Sequence, residues 1–313
     1  MLRLSGISKR FGAVEALSEV SFSIPDGAVT GFVGPNGAGK STVMRIAMGL
    51  ETADTGTVLV EADGADPTSG PTGRVGALLD ASWVFGRRTA LDHLWMLAAT
   101  RGLPRSQALE LLEFTGLASV AHRRVGTFSL GMRQRLGIAA ALLGAPSALL
   151  LDEPVNGLDP EGVWWVRSLC RDLAARGVAV LVSSHLLGEL AQTADRIVVI
   201  AGGRIRAEGN LADFLSGQEA HTVAAADDTA RLAAECRAAR ADVVAAGSGR
   251  ILVRGLTPVE VSRLATRAGL LLTHLEGGSV SLEERFVELT SDHVDYRAPV
   301  PRSPHIEHQE ITR

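Results

Sequence analysis

Lysine is nearly absent from this chain. Lys+Arg number 31, yet only Lys9 and Lys40 are lysines. Arg is a planar fork and Lys a compact point charge, so one does not replace the other. A lysine kept against that background argues for a site that needs an ammonium. Cysteine is as scarce: Cys170 and Cys236 stand far apart and show no metal-ligand spacing. A reduced, cytosolic chain is the simple reading. No run approaches about 18 uninterrupted apolar residues, so no membrane span is expected. The longest candidate, LGIAAALLGAPSALLLD, is broken by Gly144, Pro146 and Ser147. The opening MLRLSGISKRFG has no apolar h-region, so no secretory leader is expected. A net charge of −4 gives no general pull toward nucleic acid or an anionic membrane. The 313 residues suffice for about two domains.

What is present is concentrated in GFVGPNGAGKST, residues 31–42. Gly34 to Ser41 matches the phosphate-binding pattern G-x-x-x-x-G-K-[ST]. An apolar run, Ala28 to Val33, precedes it and reads as a buried strand. Ser41 to Leu50 follows and reads as a helix. Chance produces this pattern in a chain of this length with a probability on the order of one in a hundred. Gly34, Pro35, Asn36, Gly37, Ala38 and Gly39 form the turn, whose glycines let backbone N–H groups aim inward. Lys40 is expected to reach the β- and γ-phosphates of a bound nucleotide. Ser41 is expected to hold Mg²⁺, with Thr42 beside it in the first helical turn.

The spacing predicts an α/β fold: a P-loop NTPase core with an N-terminal antiparallel β subdomain, a helical insertion and a small α+β C-terminal domain. Residues 1–26 alternate apolar and polar, as strands do. Residues about 89–145 carry Leu and Ala at helical spacing. Then strands at 148–151, 178–183 and 196–200 alternate with helices at about 160–176 and 186–193, which argues for a parallel sheet. We place the first domain at 1–216. From 217 to 291 the order reads β-α-β-β-α-β, a ferredoxin-like split unit. It has no catalytic cluster and its His residues lack metal spacing, so a regulatory or dimer-steadying role is expected. The tail 292–313 is Pro-rich and polar and is expected to be mobile.

Three further segments converge on the P-loop. LLLDEP, residues 149–154, is an apolar strand ending in two acids. Asp152 fits the acid that binds Mg²⁺, and Glu153 is placed to polarise the attacking water; an acidic helix start is the alternative. His185, in SSH, ends the next strand, and neighbouring parallel strands present their ends to one crevice. In FSLGMRQR, Ser129 and Gly131 open a helix with exposed N–H groups, a second anion site whose alternative is plain capping.

With these segments in order, residues 2–215 resemble the ATP-binding cassette family, the nucleotide-binding subunits of ABC transporters. The resemblance rests on GPNGAGKST, SLGMRQR in place of the usual LSGGQ, LLLDEPVNGLDP and SSH. It implies an ATPase in which two cassettes, as a homodimer or a pair, enclose two ATP molecules head to tail. Ser129 and Gly131 would then act on the partner's γ-phosphate. Asn156 to Asp159 would cross the dimer interface, with Asp159 beside the nucleotide. His185 would be catalytic, and Phe11 would stack on adenine; a core role is the alternative for Phe11. Asp80 falls where the family's glutamine loop has Gln. It could approach Mg²⁺ or cap a turn.

The segment SLEERFVELT and these departures are similar to daunorubicin- and bacitracin-resistance exporters. That subgroup implies a separate transmembrane permease and a cytoplasmic place on the inner face of the membrane. Trp83 and Phe85 would meet the permease or pack within the helical insertion. No nucleic-acid partner is expected. The rival, a soluble cassette ATPase of DNA repair or translation, would bring a long coiled coil or a second P-loop, and neither is found. A P-loop kinase or GTPase would not need SLGMRQR, and the guanine-reading N-K-x-D is missing.

Overall fold

The computed structural model describes residues 1–61, 74–184, 187–216, 221–247 and 249–278. The chain opens with β1 (Leu2–Phe11) and β2 (Val14–Ile24), paired antiparallel. Then come β3 (Val29–Val33), α1 (Lys40–Ala47) and β4 (Thr55–Val60), and β4 pairs with the other edge of β1. Leu2, Leu4, Ile7, Leu17, Val20, Phe22 and Ile24 are buried from this sheet, which is why its strands alternate.

Next follow β5 (Val75–Leu78), α2 (Ala90–Thr100), α3 (Arg105–Phe114) and α4 (Leu130–Ala141). The helices share a core that includes Leu91, Leu94, Leu112, Leu136 and Leu143. Thr89 caps α2 by accepting from the Asp92 N–H. Gly76 lets α4 approach β5: a Cβ there would lie 1.9 Å from the Ala141 carbonyl oxygen.

After α4 come β6 (Ala148–Asp152), α5 (Pro160–Ala175), β7 (Ala179–Ser183), α6 (Leu187–Ala191), β8 (Arg196–Ala201), β9 (Arg204–Asn210) and α7 (Leu211–Ser216). The central sheet runs β5-β6-β7-β3-β8-β9. Its pairs are parallel except β8 with β9. β9 goes beyond the strands expected from the sequence, because its RIRAEGN is mostly polar. The inner strands are apolar without alternation because both faces are covered. Leu149, Leu151, Val180 and Val182 pack on one side with Val166 and Leu169 of α5. Leu150, Leu181, Phe32 and Val198 pack on the other, with Val43 and Met44 of α1 and the N-terminal sheet.

The remaining elements are β10 (His221–Ala226), α8 (Thr229–Ala238), β11 (Asp242–Ala245), β12 (Ile251–Arg254), α9 (Pro258–Arg267) and β13 (Leu272–Gly278). They form a four-stranded sheet, β11-β12-β10-β13, antiparallel throughout. This is the split β-α-β-β-α-β order expected from the sequence. Its core, including Ala224, Leu232, Val253 and Val261, is separate from the others. The segment SLEERFVELT and the tail 292–313 lie outside the described residues.

Candidate nucleotide-binding site

The P-loop leaves the carboxyl end of β3 and enters α1. Gly37 and Gly39 take positive φ values of 79° and 104°, which turns the chain back on itself. The residues from Pro35 to Thr42, with Ala16, Asp152 and Glu153, line a cavity of about 270 Å³. The structure therefore brings Pro35, Asn36, Gly37, Ala38, Gly39, Lys40, Ser41, Thr42 and both acids together. Gly34 stands just behind: a Cβ on it would meet the Ile200 carbonyl oxygen at 2.4 Å.

Lys40 is buried, and its Nζ donates to the carbonyl oxygens of Gly34 and, at 3.2 Å, of Pro35. Burial lowers the pKa of Lys40, and Glu153 and Asp152 pull it back up. Ser41 Oγ donates to Asp152 Oδ2 at 2.7 Å. The hydroxyl and carboxylate are hard oxygen donors of the kind Mg²⁺ takes. Among the described residues no group of three or more His, Cys, Asp or Glu could cage a metal. A cation held by one or two protein oxygens plus phosphates fits such a donor set.

Four hydrogen bonds at this site, made by Ser183 and Gln134, were not legible in the sequence. Asp152 and Ser183 are register partners at the ends of β6 and β7. Ser183 Oγ donates to Asp152 Oδ1 at 2.5 Å and accepts the Glu153 N–H at 2.9 Å. Gln134 of α4 donates through Nε2 to the carbonyl oxygens of Glu153 and Asn156, each at 3.4 Å. The only sequence signal for Ser183 is its place in SSH, two residues before the histidine. For Ala16 there was no signal.

Other expected residues lie elsewhere in the fold. Ser129 caps α4 by accepting the Met132 N–H at 3.3 Å. A Cβ on Gly131 would meet the Leu158 side chain at 3.2 Å, so this helix start packs on the 156–159 loop. Asp159 caps α5, accepting the Gly162 N–H at 2.8 Å. Phe11 is half exposed beneath Lys9, whose Nζ is 5.2 Å from the ring centroid. None of these four lines the P-loop cavity. Asp80 accepts the Ser82 N–H at 2.7 Å, as a turn cap does. It lines a different hollow of about 230 Å³, with Met48, Trp83, Phe85, His93 and Met96 among its walls. His185 lies outside the described residues.

A P-loop between a parallel strand and a helix, faced by two acids at the end of β6, two places along the same sheet, defines a nucleoside triphosphatase. The family model for the ABC transporter matches residues 17–156. The chain is 37% identical over 205 residues to the lantibiotic transport ATP-binding protein SrtF of Streptococcus pyogenes, covering 66% of this chain and 89% of that one. It is 34% identical over 318 residues to the daunorubicin/doxorubicin resistance ATP-binding protein DrrA of Streptomyces peucetius, covering 95% and 94%. With the bacitracin transport ATP-binding protein BcrA of Enterococcus faecalis it shares 31% over 296 residues, covering 92% and 96%. The dimeric cassette MJ0796 bound to ADP and Pi superposes with a TM-score of 0.61 at 25% identity, over 67% of this chain and 99% of that one.

The chain belongs to the ABC transporter ATP-binding proteins and is a transport ATPase subunit. Cassettes of this family bind ATP and ADP and work as dimers with a membrane permease. The DNA-repair or translation reading is not favoured. Among the described residues no helix is long and apolar enough to cross a membrane.

Proposed function

We propose that this chain drives export through a separate permease, binding ATP with Mg²⁺ between two cassettes. The observation that carries the reading is the joining of Ser41, Asp152 and Glu153 at the wall of the P-loop cavity. Ser41 and Asp152 hold Mg²⁺, which offsets phosphate charge. Lys40 and the loop N–H groups hold the phosphates. Glu153 accepts the proton of the attacking water. His185 assists at the γ-phosphate. Ser129 and Gly131 reach the partner cassette's γ-phosphate, Asp159 crosses the interface, and Phe11 stacks on adenine. Asp80 acts as a turn cap at the edge of the second hollow.

ATP then closes the pair because its γ-phosphate gains donors from both cassettes, and hydrolysis removes that bridge. Trp83 and Phe85 are 53% and 62% exposed at the second hollow, and offer the permease an apolar foothold. The chain works in the cytoplasm, held at the inner face of the membrane by that permease. The likeness to DrrA, a daunorubicin/doxorubicin resistance ATP-binding protein, and to BcrA, a bacitracin transport ATP-binding protein, supports export as the direction. Glu153→Gln tests the site: it should keep ATP binding, trap an ATP-bound dimer and lower turnover by about 10²–10⁴. Wild-type turnover in that variant removes Glu153 from its role.

A further inference from the structure

Ser183 is 0% exposed, with its hydroxyl between two groups of the candidate hydrolytic centre. It has one proton to give, and Asp152 Oδ1 takes it at 2.5 Å. Its oxygen receives the Glu153 N–H at 2.9 Å. Both polarities of the hydroxyl are thus used on consecutive residues of β6 and the turn after it. Asp152 is left with Oδ2 toward Ser41, at 2.7 Å. The carboxylate is therefore gripped at both oxygens, one from the P-loop helix and one from β7.

The Glu153 backbone needs a grip of its own. Its φ is +49°, a left-handed conformation that side chains other than Gly seldom adopt. The Ser183 hydroxyl holds the N–H of this residue, and Gln134 holds its carbonyl oxygen at 3.4 Å. The direction in which the Glu153 side chain leaves the backbone depends on that conformation. Register explains why β7 can supply the bond. Ser183 lies opposite Asp152 in a parallel pair, so both side chains leave the sheet on one face.

We propose that Ser183 is a positioning residue for hydrolysis: its hydroxyl sets which Asp152 oxygen faces Ser41 and fixes the backbone from which Glu153 projects. The proposal rests on the reading of Asp152 and Glu153 as the Mg²⁺ and water acids. A merely structural serine would tie β6 to β7 and affect stability alone. A positioning serine must also change cation affinity, since partners of metal ligands set ligand orientation.

The test uses the full chain and three variants. Ser183→Ala removes the hydroxyl, Ser183→Cys nearly keeps its volume with a weak donor, and Ser183→Thr keeps the hydroxyl. Mn²⁺ binding is titrated by electron paramagnetic resonance in the presence of a non-hydrolysable ATP analogue. ATPase kcat and KM are measured beside it. Ser183→Ala and Ser183→Cys should weaken Mn²⁺ binding and lower kcat, each by about 10- to 100-fold. KM for ATP should stay within about twofold, because the phosphate contacts are untouched. Ser183→Thr should restore both. If either hydroxyl-free variant folds and keeps Mn²⁺ affinity near wild type, the proposal is overturned, whatever its turnover. Glu153→Gln, assayed in parallel, separates the two readings. Lost turnover there with unchanged Ser183 variants sinks only the Ser183 role; unchanged turnover sinks the reading of the acids, and this proposal with it.

Discussion

Lys40 Nζ donates to the carbonyl oxygen of Pro35 at 3.2 Å, so the ammonium folds back onto its own loop. The contact is local, and so is the other, to the Gly34 carbonyl. Burial lowers the pKa of Lys40, and Glu153 and Asp152 only partly offset that effect. An incoming phosphate supplies full negative charge to a group whose charged form is disfavoured. Lys40→Ala should therefore weaken binding of a non-hydrolysable ATP analogue by about 1.5–3 kcal/mol, the worth of a charge-assisted hydrogen bond. Isothermal titration measures this, and turnover should vanish with it. Unchanged affinity and turnover together count against the loop as the phosphate site.

The second lysine has a different explanation. Lys9 Nζ meets Glu51 Oε1 at 2.8 Å, Asp54 Oδ1 at 3.5 Å and the Thr52 carbonyl oxygen at 2.7 Å. Three acceptors suit the three donors of an ammonium. Both lysines thus sit among converging acceptors, but only Lys40 lies at the candidate site. The P-loop was legible because each residue in it has a separate physical task at fixed spacing. The inner strands were legible because burial on both faces leaves unbroken apolar runs, as in Leu149 to Leu151. Ser183 was not legible as a partner of Asp152. Their contact depends on the register of two strands whose ends are 31 residues apart. β9 was missed because it is an antiparallel edge with one face toward water, so its composition is mostly polar.

Gly76 tests the packing that carries the helical layer. Its missing Cβ would lie 1.9 Å from the Ala141 carbonyl oxygen and 2.9 Å from the carbonyl carbon, both backbone atoms of α4. Backbone cannot rotate aside as a side chain can. Gly76→Ala should destabilise the fold by at least about 1–3 kcal/mol, the usual cost of overpacking. Urea unfolding would read it as a lower midpoint. A midpoint equal to wild type means α4 can shift away from β5 without loss.

His93 sets an acid limit. The ring is buried, its Nδ1 has no hydrogen-bond partner, and burial with the nearby Arg88 guanidinium lowers its pKa. The unfolded chain keeps the ordinary value of about 6.5. Below that pH the unfolded state binds a proton that the folded state refuses, so stability rises with pH and falls on acidification. The loss begins near the unfolded value and continues down to the lowered folded one. Thermal melts from pH 7.5 to 5 should show a falling midpoint, and His93→Gln should flatten that fall. Parallel profiles in the two proteins would assign the acid sensitivity to other groups.

The C-terminal unit offers a separable test. We propose that the boundary lies near Gly217 and that residues 217–291 steady the cassette pair or its hold on the permease. The core of Ala224, Leu232, Val253 and Val261 is built from the unit's own strands and helices. None of its described residues lines the P-loop cavity. A unit that adds contacts between cassettes raises their effective concentration without touching ATP. Truncation at Gly217 should therefore leave nucleotide affinity of the monomer nearly unchanged. It should weaken ATP-dependent dimerisation, followed by analytical ultracentrifugation with Glu153→Gln, or permease capture in a pull-down. Loss of ATP binding by a folded truncation would make the unit part of the nucleotide site. Unchanged dimerisation and permease binding would move its role elsewhere, toward an effector response.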